Sequence, residues 1–81
     1  MNIIIVGCGK VGWTLAEQLC NEEHQVVVID TNSEKIQQLS EDLDLLGITG
    51  NGSSIGVLSE AGVKEADILI AVTGSDELNL L

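Results

Sequence analysis

The stretch that decides the fold is Asn2–Gly12, which reads NIIIVGCGKVG. Its first half, Asn2–Val6, is a continuous β-branched run typical of a strand buried on both faces of a parallel sheet. Three glycines follow directly with the spacing G-x-G-x-x-G, at Gly7, Gly9 and Gly12. A strand that runs through such a glycine loop into a helix predicts a dinucleotide-binding type of fold.

Strand and helix patterns alternate along the rest of the chain. After the loop, Val11, Leu15, Ala16 and Leu19 recur at helical spacing. The predicted strands are 2–6, 25–29 ending at Asp30, 45–49 and 66–72. The predicted helices are 10–20, a second helix after Asp30, 55–61 closed by Gly62, and the start of a fourth from Thr73. The second helix is capped at Thr31, Asn32 or Ser33 and has Ile36, Leu39 and Leu43 on its apolar face. This alternation predicts an α/β fold, a Rossmann-like open parallel sheet with strand order 3-2-1-4.

The length of 81 residues suits one small domain, so we interpret residues 1–81 as a single nucleotide-binding domain. The last residues fall inside the predicted fourth helix, and a complete dinucleotide fold has two further strands. We therefore expect the fold to be truncated after the start of that helix.

The charge balance excludes several classes of partner. Thirteen acids face only three lysines and no arginine, for a formal net charge of −10. Such a chain lacks the basic face that nucleic acids or anionic membrane surfaces require. Apolar runs such as Ile3–Val6 are far too short to span a bilayer, and the start does not resemble a signal peptide. With two cysteines predicted to be free thiols, this indicates a cytosolic protein.

Each glycine of the loop has a mechanical role in this interpretation. Gly7 permits a tight turn out of the strand, Gly9 lets a pyrophosphate approach the backbone, and Gly12 lets the helix pack closely. The unpaired N–H groups at the helix start then point at the phosphates and the helix dipole attracts them, which suits an anionic ligand on an acidic protein. The alternative is a structural turn beside an empty pocket.

An acid follows at the expected place. Asp30 ends the second strand 18 residues after Gly12, where a carboxylate accepts hydrogen bonds from ribose hydroxyls. It would repel a 2′-phosphate, and no arginine is present to receive one, so NAD is favoured over NADP. The alternative is that Asp30 only caps the following turn. Asn32 is predicted near the edge of the ribose.

The remaining candidates have ordinary alternatives of equal weight. Lys10 is placed to reach a terminal phosphate or is a solvated surface lysine. Asn51 and Ser53 would line the adenine side and Thr73 the phosphates, or else they serve as ordinary loop residues. The complete predicted cofactor-binding set is Gly7, Cys8, Gly9, Lys10, Val11, Gly12, Asp30, Thr31, Asn32, Asn51, Gly52, Ser53 and Thr73. Neither a catalytic set nor a metal-ligand set is predicted.

Three segments together resemble the TrkA-type regulatory subunits of bacterial potassium-uptake systems. They are NIIIVGCGKVGWTLAE at 2–17, VVVIDTNSEKI at 26–36, and GNGSSIGVLSEAGVKEADILIAVTGSDELNLL at 50–81. The last contains a T-x-x-D-E-x-N pattern, formed by Thr73, Asp76, Glu77 and Asn79. The resemblance covers the whole chain, although the later strands and the C-terminal ligand lobe of such proteins are missing.

This resemblance implies a domain of the RCK/KTN type (regulator of potassium conductance), which binds NAD or NADH, ATP, ADP or AMP. It implies a homo-oligomer on the cytoplasmic side of a membrane potassium transporter or channel, whose gating follows ligand exchange. By resemblance, Gly7, Gly9, Lys10 and Gly12 would hold phosphates, Asp30 and Asn32 the ribose, and residues 51–53 the adenine side. A non-enzymatic nucleotide sensor is therefore the leading hypothesis. The cofactor-binding half of an NAD-dependent dehydrogenase and a nucleotide-free scaffold are the alternatives.

Overall fold

The computed structural model describes residues 1–7, 9–51 and 55–72, and within them it confirms the alternation of strands and helices. The elements are β1 (Asn2–Val6), α1 (Lys10–Asn21), β2 (Gln25–Asp30), α2 (Ser33–Asp42), β3 (Leu46–Thr49), α3 (Ile55–Ala61), a 3-10 turn (Val63–Glu65) and β4 (Ile68–Ala71). None of the helices in these ranges is long and apolar enough to cross a membrane.

The four described strands form one parallel sheet in the order β3-β2-β1-β4, as predicted. The register places Val6 beside both Ile29 and Ala71, and Asp30 beside Thr49. All strands therefore reach the same edge of the sheet with their carboxyl ends. That edge is where ligands bind in open parallel sheets.

The sheet has an apolar core on each face, because successive strand residues point to opposite sides. Ile3, Ile5, Val26 and Val28 pack against Ala16 of α1 and Ile36 and Leu39 of α2. On the other face, Ile4, Ile29 and Ile48 pack with Ala61 of α3. Helices α1 and α2 thus lie side by side on one face of the sheet, and α3 covers the other.

The predicted apolar stripe of α1 was wrong at its first residue. Val11 is 48% exposed, whereas the buried residues of this helix are Gly12 and Ala16. The helix is turned so that Gly12 faces the end of β1, and this rotation carries Val11 out towards solvent. Leu43 was likewise predicted on α2, but it follows the last helical residue and packs on the core as a half-buried side chain.

The later strands are shorter than predicted. Leu45 belongs to the turn after α2, where its N–H donates to the carbonyl of Leu43, so β3 begins at Leu46. A 3-10 turn after Gly62, which the sequence pattern did not predict, delays β4 to Ile68. The predicted fourth helix lies outside the described residues.

Candidate functional site

The ends of the four described strands are joined side by side by hydrogen bonds that continue beyond the sheet. The N–H of Gly7 donates to the carbonyl of Ile29 at 2.7 Å, and the N–H of Gly50 donates to the carbonyl of Asp30 at 2.8 Å. The N–H of Val72 donates to the carbonyl of Val6 at 2.7 Å. This bonding holds the glycine loop, Asp30 at the end of β2 and the loop after β3 against one another at a single edge.

Two of the loop glycines are required by the backbone. Gly7 has φ of 106°, a left-handed conformation that side chains other than that of glycine rarely adopt. Gly12 lies directly against the Gly7 carbonyl, so a Cβ atom at position 12 would overlap the Gly7 oxygen. The predicted close approach at Gly12 is therefore confirmed, and the contact is with the turn leaving β1.

The start of α1 has no side-chain cap. Its N-cap residue is Gly9, no side-chain hydrogen bond caps the helix, and no acidic residue lies in the first turn. The helical hydrogen bonds begin with the N–H of Trp13, which donates to the carbonyl of Gly9 at 2.8 Å. The preceding N–H groups, those of Lys10, Val11 and Gly12, form the positive end of the helix dipole and are suited to bind an anion.

The neighbouring helix α2 begins in the opposite way. Of its three predicted caps, Asn32 is the one used: its side-chain oxygen accepts from the N–H groups of Glu34 at 3.0 Å and Lys35 at 3.2 Å. Glu34 also places a negative charge in the first turn. The start of α2 is thus satisfied by its own residues, unlike that of α1. Since the Asn32 side-chain oxygen accepts these two bonds, we expect this side chain to contact a ribose through its amide N–H groups.

Asp30 is half-buried and follows Ile29, whose carbonyl accepts from the N–H of Gly7 in the glycine loop. Its Oδ1 atom accepts from the N–H of Asn32 at 2.8 Å, which is the turn-capping contact weighed as the alternative role. An ionised carboxylate has about four acceptor sites on its two oxygens. The capping contact is therefore compatible with ribose recognition and fixes the direction in which this carboxylate points.

The other predicted residues divide into those placed at this edge and those not described. Lys10 and Val11 are exposed at the start of α1, Thr31 is exposed between β2 and α2, and Asn51 is exposed after β3. Cys8, Gly52, Ser53 and Thr73 lie outside the described residues. The structure thus brings the phosphate and ribose candidates together, while most of the predicted adenine side is not described.

A groove beside the loop contains residues that the pattern analysis did not select. It has a volume of about 330 Å³ and is lined by Gly9, Lys10, Trp13, Thr14, Lys35 and Gln38. We call it the α1–α2 groove, because the two helices form its walls. The sequence signal for Lys35 is its place in the first turn of the helix that follows Asp30, and the chain has only three lysines.

The Cys20 thiol and the His24 imidazole lie away from this edge and lack the features of a reactive site. Burial raises the pKa of the Cys20 thiol, and the nearby Asp44 carboxylate raises this pKa further, so the reactive thiolate is disfavoured. His24 lies in the turn before β2 with its Nε2 atom 3.6 Å from a Glu22 carboxylate oxygen. Within the described part of the chain, no group of three or more histidine, cysteine or acidic residues is arranged to hold a metal ion.

Comparison with known proteins agrees with this geometry. A family model described as the TrkA-N domain matches residues 3–81. The chain belongs to the TrkA-N domain family. The resemblance inferred from the three sequence segments is thereby confirmed, and the glycine loop and Asp30 of this TrkA-N domain lie within the matched range.

Curated relatives share the whole of this TrkA-N domain. The Trk system potassium uptake protein TrkA of Halomonas elongata is 47% identical over 81 residues, which is 100% of this chain and 18% of that protein. That of Vibrio alginolyticus is 44% identical over 80 residues, 99% of this chain and 18% of that protein. A TrkA homolog of Methanothermobacter thermautotrophicus is 42% identical and is covered to 38%. The chain therefore spans less than half of the length of these relatives.

A solved structure shares the fold. It is described as the Kef CTD of Shewanella denitrificans in AMP-bound form, and it superposes with a TM-score of 0.72 at 23% sequence identity. The match covers 85% of this chain and 40% of that one. This likeness supports the Rossmann-like assignment of the TrkA-N domain.

Proposed function

We propose that residues 1–81 form a nucleotide-binding domain that senses NAD(H) or an adenine nucleotide and regulates a potassium transport system. The observation that carries the proposal is the uncapped start of α1. This helix follows β1, and β1 is hydrogen-bonded to β2, which ends at Asp30. A phosphate group and a ribose are adjacent in every such nucleotide. The start of α1 is suited to the phosphate and Asp30 to the ribose, and the two lie at the ends of neighbouring strands.

The electrostatics of the chain favour this way of holding phosphates. With a net charge of −10, the protein as a whole repels anions. Backbone N–H groups and the helix dipole provide a local positive end worth roughly half an elementary charge. We expect the amides of Lys10, Val11 and Gly12 to supply most of the attraction to the first phosphate, and the Lys10 ammonium to add to it.

We assign the domain a sensing role without a catalytic step of its own. A sensor needs only that its ligand bind one conformation better than another. The relatives are named as potassium uptake proteins. The partner we propose is therefore a membrane potassium transporter or channel subunit, on whose cytoplasmic side the domain acts as part of a homo-oligomer. The AMP in the Kef CTD structure supports adenine nucleotides as a ligand class.

The test is the effect of Asp30→Ala on a panel of AMP, ADP, ATP, NAD, NADH and NADPH. Loss of a hydrogen bond to a charged group costs about 1.5–3 kcal/mol, so the dissociation constants of bound ligands with a free 2′-hydroxyl should rise roughly ten- to a hundredfold. NADPH is the exception, because the lost carboxylate would have repelled its 2′-phosphate. Isothermal titration calorimetry measures this directly. Thermal unfolding gives a second readout, since a ligand at about 100 times its dissociation constant stabilises by about 2.7 kcal/mol.

Asp67→Ala is the matched control. Asp67 also accepts a backbone N–H, that of Asn2 at 2.8 Å, but it lies at the opposite edge of the sheet. Both variants remove a carboxylate that accepts a backbone N–H. We expect Asp67→Ala to leave ligand affinity unchanged. Binding of none of the six ligands, or equal losses in the two variants, would contradict the proposed site.

A further inference from the structure

The α1–α2 groove opens directly beside the glycine loop. Helices α1 and α2 pack on the same core cluster, and Trp13 rests on that cluster as a half-buried side chain between them. At about 330 Å³, the groove has room for roughly ten water molecules of about 30 Å³ each. A phosphate group therefore fits in it easily.

The charge of the groove is opposite to that of the protein. Two of the three lysines, Lys10 and Lys35, line it, and none of the described lining residues is acidic. The third, Lys64, lies in the 3-10 turn after α3. Val63, which precedes it in this turn, packs on the other face of the sheet. Two cations that line one groove repel each other, and an anion bound between them removes that cost.

The backbone at Lys35 is fixed by the cap of its helix. Its backbone N–H donates to the Asn32 side chain, and Asn32 in turn donates its own N–H to Asp30. The start of the Lys35 side chain is therefore held near Asp30 by two consecutive hydrogen bonds. On the facing helix, the Thr14 hydroxyl donates to the Lys10 carbonyl at 3.0 Å. The two lysines are the charged donors among the described lining residues of the groove.

We propose that Lys35, together with Lys10, forms a second anion subsite that receives a further phosphate of the bound nucleotide. This inference rests on the proposed function, and it names the ligand class: nucleotides with a phosphate beyond the one held by the α1 amides. Two sources share this chemistry. One is the terminal phosphate of ADP or ATP, and the other is a 2′-phosphate on the ribose, as in NADPH. The Asp30 carboxylate repels a 2′-phosphate. Lys35, in contrast, supplies a cation for it in a chain that has no arginine.

The experiment compares the wild-type chain with Lys35→Gln, and with Lys64→Gln as the charge-matched control. Calorimetric titrations at one fixed, low salt concentration use AMP, ADP, ATP, NADH, NADPH and inorganic tripolyphosphate. A charge-assisted hydrogen bond is lost with Lys35, so we expect Lys35→Gln to weaken the ligands that carry the extra phosphate about tenfold. AMP should change by less than about twofold, the scatter typical of a distant surface charge. Lys64→Gln should leave all six unchanged.

The pattern of losses identifies the source of the phosphate. A loss for ATP and ADP assigns the subsite to a terminal phosphate, and a loss for NADPH relative to NADH assigns it to the ribose. Equal losses for AMP and ATP, or no loss for any ligand, overturn the proposal. If no nucleotide binds to the wild type but tripolyphosphate binds in a Lys35-dependent manner, the subsite stands and the proposed function fails. If nothing binds at all, both fail. Lys35 is exposed, so its variant should keep the wild-type melting temperature.

Discussion

Replacing Gly12 with alanine is expected to destabilise the domain by about 1–3 kcal/mol, the usual cost of forcing extra atoms into a packed site. The new methyl group would overlap the carbonyl oxygen of Gly7, which is backbone and cannot rotate away. Relief requires α1 to move off the end of β1, and its first amides move with it. Nucleotide affinity should therefore fall together with stability. Chemical denaturation measures the first effect and calorimetry the second.

Gly56→Ala provides the comparison for this variant. Gly56 is also a helical glycine, but it is exposed on α3. Alanine there avoids the entropic cost of a helical glycine and should stabilise the domain by up to about 1 kcal/mol. If Gly12→Ala were as stable as wild type and bound nucleotide equally well, the close approach of α1 to the glycine turn would have no role in the site.

Leu39→Ala is expected to cost more stability than any other single change considered, about 2–5 kcal/mol. Leu39 is fully buried in the cluster that joins α2 to the sheet and to α1. A domain of 81 residues buries only about 60% of its extended-chain surface, so such a loss is a large share of its total stability. Thermal or urea unfolding should show that the variant is largely unfolded near room temperature.

Leu46→Ala is the matched control for this truncation. The same atoms are removed from the edge strand β3, where Leu46 is 55% exposed, so we expect a loss well below that of Leu39→Ala. Equal losses in the two variants would show that the cluster beneath α2 is not the main core of the domain.

The strand order and the edge that carries the site could be predicted from sequence, because both follow from strong local signals. The β-branched runs, the glycine spacing and Asp30 at a strand end each specify backbone geometry directly. The same rules placed the cap of α2 among Thr31, Asn32 and Ser33, and the structure assigns it to Asn32. These features depend on neighbours in the chain and hardly on distant contacts.

What could not be predicted depends on how the helices turn against the sheet. Val11 fits a helical period with Leu15, but the contact of Gly12 with Gly7 sets the rotation of α1 and exposes it. Lys35 looks like an ordinary surface residue until α2 is placed next to α1. Periodicity shows that a helix has an apolar face, and only tertiary packing decides which residues at its border become part of a groove.

Nitrogen-15 and proton NMR spectra recorded during titration with ADP test the central claim most directly. The claim is that the backbone N–H groups at the start of α1 bind phosphate. It predicts that the amide resonances of Lys10, Val11 and Gly12 shift most and saturate together, with smaller shifts at the amides following Asp30. Largest shifts at the opposite edge of the sheet, around Asn2 and Asp67, with Lys10–Gly12 unmoved, would contradict it.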